Sequence, residues 1–189
     1  MAAPSIRVNI DDTLFTYKPN FEGRINPNSQ YPSHTRSCQL TLTDEKADEL
    51  AGLGFRVKQT KPSKNATPEQ LENFKPRWYI DAELNYRDKF NNLLQYPPKV
   101  YLITGNTMPV ELFEDNANLI DDARVANVKA ILNGRWTTNR NTGEEYRKAY
   151  INAIYVEQEI NTDPYLEMYR QRAMAAEAPA TDDDEIPFE

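Results

Sequence analysis

Tyrosine alternates with lysine or arginine along several segments of the chain whose intervening residues are apolar. In one of them, Tyr146, Lys148 and Tyr150 alternate with Ala149 and Ile151. Successive side chains of a β-strand point to opposite faces, so such a strand buries its apolar set and presents rings and cations together. A ring can stack on an unpaired nucleobase, while an ammonium or guanidinium group neutralises a phosphate. The pattern therefore indicates binding of a nucleic-acid single strand without strong sequence preference.

Thirteen residues form the predicted nucleic-acid contacts, taken from the outward positions of five predicted strands and from one loop. They are Arg56, Lys58, Arg77, Tyr79, Lys99, Tyr101, Lys129, Arg135, Trp136, Arg140, Tyr146, Lys148 and Tyr150. The Gly- and Asn-rich segment 133–143, which holds Arg135, Trp136 and Arg140, is typical of a hairpin loop. A single tyrosine is also explained by packing between strands, and a single exposed lysine by protection of an edge strand against aggregation. Their recurrence over several strands favours the binding surface.

The elements that must position these residues are mostly strands. Period-two alternation predicts strands over 6–10, 38–42, 55–57, 78–86, 99–103, 124–132 and 146–156. Thr43 is a predicted helix N-cap, the Thr67 to Gln70 capping box predicts a short helix near 68–74, and a last helix is expected over about 164–176. We therefore expect a mainly β protein, an OB-fold five-stranded β-barrel with short inserted helices and a C-terminal helix. A β-sandwich is the alternative.

Negative charge is concentrated at the C-terminal end. The formal net charge of the 189 residues is −7, but six acids lie after residue 176, which leaves 23 acidic and 22 basic residues before it. The nearly neutral body can carry a positive surface. The end of the chain has too little apolar surface to fold, so we expect a disordered acidic tail over 177–189, after a nucleic-acid-binding domain over 1–160 and a helix over 161–176. Its lone aromatic residue, Phe188, favours a short motif that docks into partner proteins over a solubilising tail.

Two regions of the chain resemble phage single-stranded-DNA-binding proteins of the OB-fold type. One is the strand pair at about 123–136 and 145–157, in which Arg135 and Trp136 close the first strand and the second ends in Ala-Ile-Tyr-Val-Glu. The other is the acidic, phenylalanine-bearing tip, which consists of Asp182, Asp183, Asp184, Glu185, Ile186, Pro187 and Phe188. The tip differs from bacterial tails, in which the phenylalanine is usually last, because Glu189 follows it.

The resemblance implies a protein that coats single-stranded DNA in phage DNA replication, recombination or repair. It also implies that the tail recruits replication proteins such as a polymerase or helicase, and that it competes with DNA for the basic surface. On this view the protein is not an enzyme, needs no cofactor or metal, and works in the cytoplasm of the host cell. An apolar stripe on the last helix also admits self-association.

Other classes of protein are disfavoured by composition. No apolar run approaches the ~20 residues that span a bilayer, and the N-terminus lacks a secretory signal. Cys38 and His34 are the only cysteine and histidine, which excludes an intrachain disulfide and disfavours a structural zinc site; we expect Cys38 to pack in a strand and His34 to lie in a loop. Two alternatives stay open: a protein-interaction module without DNA binding, and a small nuclease whose Asp81 and Glu83 hold Mg²⁺.

Overall fold

The protein is mainly β in the computed structural model, which describes residues 4–25, 27–28 and 33–159 together with Met168 and Arg172. The strands described are β1 (Ile6–Thr13), β2 (Ser37–Leu42), β3 (Val57–Gln59), β4 (Trp78–Glu83), β5 (Lys99–Thr104), β6 (Val110–Leu112), β7 (Val125–Thr138) and β8 (Glu145–Gln158). The helices are α1 (Asp44–Gly52), α2 (Pro68–Glu72) and a 3₁₀ turn at Ala117–Ile120. All of these elements belong to the first of two compact units, Met1–Glu159.

The eight strands form one mixed sheet. Its main path is β1-β7-β8-β4-β2, with β3 added to β4, β5 added to β8, and β6 added to β5. The β4–β8 and β5–β8 pairs are parallel and the others antiparallel. The sheet is open, and the closed five-stranded barrel expected from the sequence is not shown. After a bulge near Asp12, whose φ is +48°, the following segment does bond to β2, with Thr41 N donating to Leu14 O at 3.0 Å and Thr16 N to Gln39 O at 2.8 Å.

The core lies on one face of this sheet and is built from the period-two apolar positions. The fully buried side chains include Leu40 and Ile80 of β2 and β4, and Val128 and Leu132 of β7. Trp78 is partly buried and packs against this cluster, as its register predicts. Burial of these side chains fixes the strand register, because a shift by one residue would expose the whole set.

A bulge in β8 reverses the alternation within that strand. Ile131 pairs with Ala153 but Leu132 pairs with Ile151, so Asn152 is an extra residue on β8. Beyond it, Ile154 points into the core. Tyr155 consequently lies on the face away from the core. Strict alternation from Ala149, Ile151 and Ala153 predicts it in the buried set, and that prediction is wrong.

The helix starts follow their capping residues. The side chain of Thr43 accepts a hydrogen bond from Lys46 N at the start of α1, and Thr67 forms a full capping box with Gln70 at α2. These two predictions are confirmed. The helix expected over about 164–176 and the tail over 177–189 lie outside the described residues, apart from Met168 and Arg172. No helix in the described part of the chain is both long and apolar enough to cross a membrane.

The β7–β8 hairpin is longer than its sequence predicts. Both strands continue through the expected loop, with Arg135 opposite Lys148 and Trp136 opposite Arg147. The connecting turn is confined to Asn139–Glu144, where Gly143 adopts a φ of +70°. The hairpin loop predicted over 133–143 is therefore correct only in its second half, since cross-strand pairing extends the ladder through polar residues.

Candidate nucleic-acid interface

Strand pairing places most of the predicted contact residues on one face of the sheet, opposite the core. Across β7 and β8, Lys129 lies opposite Tyr155 and Arg135 opposite Lys148. In β4, which runs parallel to β8, Glu83 lies opposite Tyr150. We call this surface the tyrosine face. Its members are Arg56, Lys58, Tyr79, Tyr101, Lys129, Arg135, Tyr146, Lys148, Tyr150 and Tyr155.

Two pairs of rings contact each other on the tyrosine face. Tyr101 of β5 and Tyr155 of β8 lie opposite each other and stack, with centroids 5.0 Å apart and planes 11° from parallel. Tyr79 meets Tyr17 edge to face at 5.6 Å. Partial burial beside Asp81 raises the pKa of Tyr79, so its hydroxyl stays protonated at neutral pH. These pairs hold the rings in fixed orientations, which lowers the entropic cost of stacking a base on them.

Cations lie over other rings of the same face. The guanidinium carbon of Arg135 is 5.6 Å from the centre of the Tyr150 ring, and the ammonium of Lys148 is 5.8 Å from it. The guanidinium carbon of Arg56 is 5.4 Å from the centre of the Tyr146 ring. A ring and a cation at this spacing can bind a base and its adjoining phosphate together.

Three lysines of the tyrosine face are paired with carboxylates in the free protein. Lys58 pairs with Asp81, Lys148 with Glu83, and Lys129 lies 3.6 Å from Asp12. Partial burial lowers the pKa of Lys148, but the hydrogen bond and charge of Glu83 outweigh it, so the net shift is upward. A bound phosphate must therefore compete with these carboxylates for the lysines.

Asp81 and Glu83 were also the candidates for a Mg²⁺ site. Each carboxylate bonds to a lysine, and Asp81 also accepts a hydrogen bond of 3.0 Å from the Gln39 amide. No group of three His, Cys, Asp or Glu side chains in the described part of the chain is placed to hold a metal ion.

Four of the predicted contact residues are not counted in the tyrosine face. Lys99 lies on the same side of β5 as Tyr101 but bonds to Glu111 on β6 at 2.6 Å, an interaction that raises the pKa of Lys99. Arg77 is exposed and lines a separate cavity that also includes Lys46. Arg140 is exposed in the β7–β8 turn.

Trp136 lies on the other face of the hairpin from Arg135. Its ring contacts Gly54, where an added Cβ would be 2.6 Å from Cη2 of Trp136, and the guanidinium carbon of Arg147 is 4.8 Å from the ring centre. Although 43% exposed, Trp136 does not belong to the tyrosine face.

Two residues beside or on this face were not among the predicted contacts. Tyr155 was missed because the β8 bulge cannot be read from alternation alone. Tyr17 lies in an irregular segment between β1 and β2, where no period indicates which way a side chain points. The only sequence signal that could have identified Tyr17 as a contact residue is that it is an aromatic residue in a polar segment.

Cys38 and His34 take the structural roles expected for them. Cys38 lies in β2 and is fully buried, and this burial raises the pKa of its thiol. His34 lies in an irregular segment, with Nδ1 at 3.2 Å from the Gly23 carbonyl oxygen. The thiol is therefore protonated and inaccessible at neutral pH.

Comparison with known proteins gives structural neighbours only. No family model matches the chain, and no curated protein sequence matches it. Among solved structures, the single-stranded DNA-binding protein from bacteriophage Enc34, as a C-terminal truncation, superposes with a TM-score of 0.45 at 10% identity, over 81% of this chain and 86% of that one. The same phage protein in complex with ssDNA gives 0.43 at 10% identity over the same shares of the two chains. The Enc34 protein in a further structure gives 0.43 at 11% identity, over 84% of this chain and 89% of that one.

Proposed function

We propose that the protein binds single-stranded DNA without sequence preference and without catalysis. The observation that carries this proposal is the tyrosine face, on which five tyrosines from three neighbouring strands are interleaved with five lysines and arginines. Stacking accepts every base because each has a π-face, and it contributes about 1–3 kcal/mol per base. The cations supply phosphate contacts that carry no sequence information.

The proposal extends to the fold type and to the biological setting. Backbone hydrogen bonds to Leu14 O and from Thr16 N link the segment after β1 to β2, which supports an OB-type arrangement around the main path of the sheet. We propose a role in coating phage DNA during replication, recombination or repair, in the cytoplasm of the host cell. The acidic tail, with Phe188 near its tip, would recruit replication proteins and compete with DNA for the tyrosine face.

The experiment that tests the proposal is a titration of a labelled mixed-sequence single strand, followed by fluorescence anisotropy, with the matching duplex as competitor. We expect the protein to bind the single strand and the duplex to compete poorly for it. We also expect the affinity for the single strand to fall as the salt concentration rises. For four to six neutralised phosphates, the slope of log K against log salt is about −3 to −4. Equal preference for duplex, or an affinity indifferent to salt, would contradict the proposal.

A protein-interaction module without DNA binding is the second candidate, and one observation favours it. Large apolar side chains are exposed on the segments that flank β5 and β6, among them Phe90, Leu93, Tyr96, Met108 and Phe113. Exposed apolar side chains that cluster are typical of protein-binding surfaces. The same titration separates the candidates, because this one predicts no affinity for single-stranded DNA.

A further inference from the structure

A cavity opens in the sheet where β4 changes its neighbour. Residues 78–80 of β4 pair with β3, whereas Ala82 and Glu83 pair with β8. Asp81 lies between these two stretches and has no backbone partner on either β3 or β8. At the far end, Arg147 N donates to Gly54 O at 2.7 Å and ties β8 back to the chain that leads into β3. The gap is partly open to solvent and has a volume of about 240 Å³, and we call it the β3–β8 pocket.

The lining of the β3–β8 pocket carries a net positive charge. Arg56 and Lys58 contribute from the β3 side, Arg147 and Lys148 from β8, and the two carboxylates from β4. Lys58 and Lys148 are paired with those carboxylates. Neither arginine has an ion-pair partner among the described residues. The guanidinium of Arg147 lies over the Trp136 ring on the other face, so Arg56 supplies the uncompensated positive charge of the pocket.

Arg147 lines the pocket, but its guanidinium lies on the other face of the hairpin. The guanidinium carbon is 4.8 Å from the centre of the Trp136 ring, and Nη1 donates to Pro4 O at 3.4 Å. The donors that remain beside the lysines are the hydroxyl-bearing residues Thr35 and Ser37, which line the same pocket.

One wall of the pocket is aromatic. Tyr146 lines it, with the guanidinium of Arg56 over its ring. The pocket is smaller than the about 300–1,000 Å³ typical of sites for drug-sized ligands, so a single nucleotide suits it better than a larger molecule. An aromatic wall for the base and cations for the phosphate are what such a ligand requires.

We propose that the β3–β8 pocket is a one-nucleotide subsite, which takes the base of one nucleotide against Tyr146 and Arg56 and its phosphate against Lys58 and Lys148. This inference rests on the proposed function and deepens it. The strand is anchored at this nucleotide, while its neighbours lie across the tyrosine face. The shared chemistry is that of a nucleoside monophosphate, either free or within a strand.

The first test uses the full chain and thymidine 5′-monophosphate, followed by ¹H–¹⁵N NMR, with thymidine as the arm that lacks phosphate. We expect the nucleotide to shift amides at Thr35, Ser37 and the start of β8, and thymidine to shift them less. Oligo-dT should shift the same amides and, in addition, those of Tyr101 and Tyr155. This comparison separates a free mononucleotide from a strand.

The second test fills the pocket with a large side chain. Thr35 lines the pocket, is half-buried and lies outside the strands, so Thr35→Trp blocks it without breaking a ladder. Thr107→Trp is the matched control, because Thr107 is exposed, lies outside the strands and does not line the pocket. We expect Thr35→Trp to abolish the mononucleotide shifts and to weaken oligo-dT binding about tenfold, and Thr107→Trp to do neither.

Tyr146 provides an independent variant if Thr35→Trp unfolds the protein. Tyr146→Ala should weaken oligo-dT binding about tenfold, corresponding to ~1.4 kcal/mol, and Tyr146→Phe should restore it because the ring suffices for stacking. The inference is overturned, and the proposed function kept, if oligo-dT binds but the mononucleotide shifts no pocket amide, or if folded Thr35→Trp and Tyr146→Ala keep full affinity. If oligo-dT does not bind at all, both fail.

Discussion

At the residue scale, Tyr150 is the centre of the tyrosine face. Arg135 and Lys148 both lie within 6 Å of its ring centre, and it is opposite Glu83 in the register. We therefore expect Tyr150→Ala to weaken single-stranded DNA binding by about 5- to 150-fold, the effect of losing one stacked base. Anisotropy titration measures this change. Tyr96→Ala, which removes an exposed tyrosine from a loop, is the matched control and should leave the affinity as it is.

Gly54 is required for two independent reasons. Its φ is +86°, a conformation that costs other residues about 1–2 kcal/mol, and a Cβ there would collide with the Trp136 ring. We expect Gly54→Ala to lower the free energy of unfolding by about 1–3 kcal/mol in urea denaturation. Gly52→Ala, where a Cβ meets nothing within 4 Å, should leave it equal or slightly higher. Equal stability of the two variants would refute the close packing of Trp136 on Gly54.

Some residue positions follow from the sequence, and others depend on pairing. The outward direction of Tyr101 and Lys148 follows from apolar neighbours at period two. The outward direction of Tyr155 does not follow from this period, because one extra residue in β8 exchanges the two faces of the strand beyond it. The sequence also did not predict on which face Trp136 lies. That face depends on the β7–β8 ladder continuing through polar residues.

At the element scale, β4 supplies carboxylates to a face that otherwise attracts phosphate. The pair of Glu83 with Lys148 must break or rearrange when a phosphate binds that lysine. We expect Glu83→Gln to tighten single-stranded DNA binding by up to about fivefold, since partly exposed ion pairs of this kind contribute about 0.2–1 kcal/mol. Anisotropy at fixed salt measures it.

A matched control for Glu83→Gln exists in α1. Glu49 pairs with Lys46 at 2.9 Å, away from the tyrosine face, so Glu49→Gln makes the same change in net charge. If the two variants bind DNA equally, the effect comes from overall charge, and local competition for Lys148 is refuted.

The elements themselves were predictable where local chemistry determines them. Thr43 and Thr67 mark the starts of both helices, because a side-chain oxygen is needed there to accept from an otherwise unpaired backbone N–H. The three-residue strand β6 and the 3₁₀ turn before β7 were not predicted. Both are too short to show a hydrophobic period, and β6 exists through its pairing with β5.

At the scale of the whole molecule, the arrangement of the strands could not be predicted. Pairs between residues remote in sequence, such as Ala82 with Ala149 and Val100 with Ile154, leave no local signal. They place β4 and β5 along the same edge of β8, which assembles the tyrosine face and opens the β3–β8 pocket. Period-two alternation predicted a mainly β protein and the kinds of residue on its face, but not how those residues meet.

Charge segregation leads to a prediction about the acidic tail. Removal of residues 177–189 takes away six acids and no base, which changes the formal net charge from −7 to −1. We expect this truncation to tighten binding to oligo-dT, most strongly at low salt, because competition between anions is screened as salt rises. Titration of both forms over a salt series measures it, and an equal affinity at low salt would contradict competition by the tail.

The most direct measurement is photocrosslinking of an oligonucleotide that carries 5-iododeoxyuridine, with the adducts located by mass spectrometry. Our account predicts adducts on Tyr101, Tyr146, Tyr150 or Tyr155, the aromatic residues of β5 and β8 on one face of the sheet. Adducts confined to Tyr96, Phe90 or Phe113, or none under conditions where the strand is bound, would contradict it.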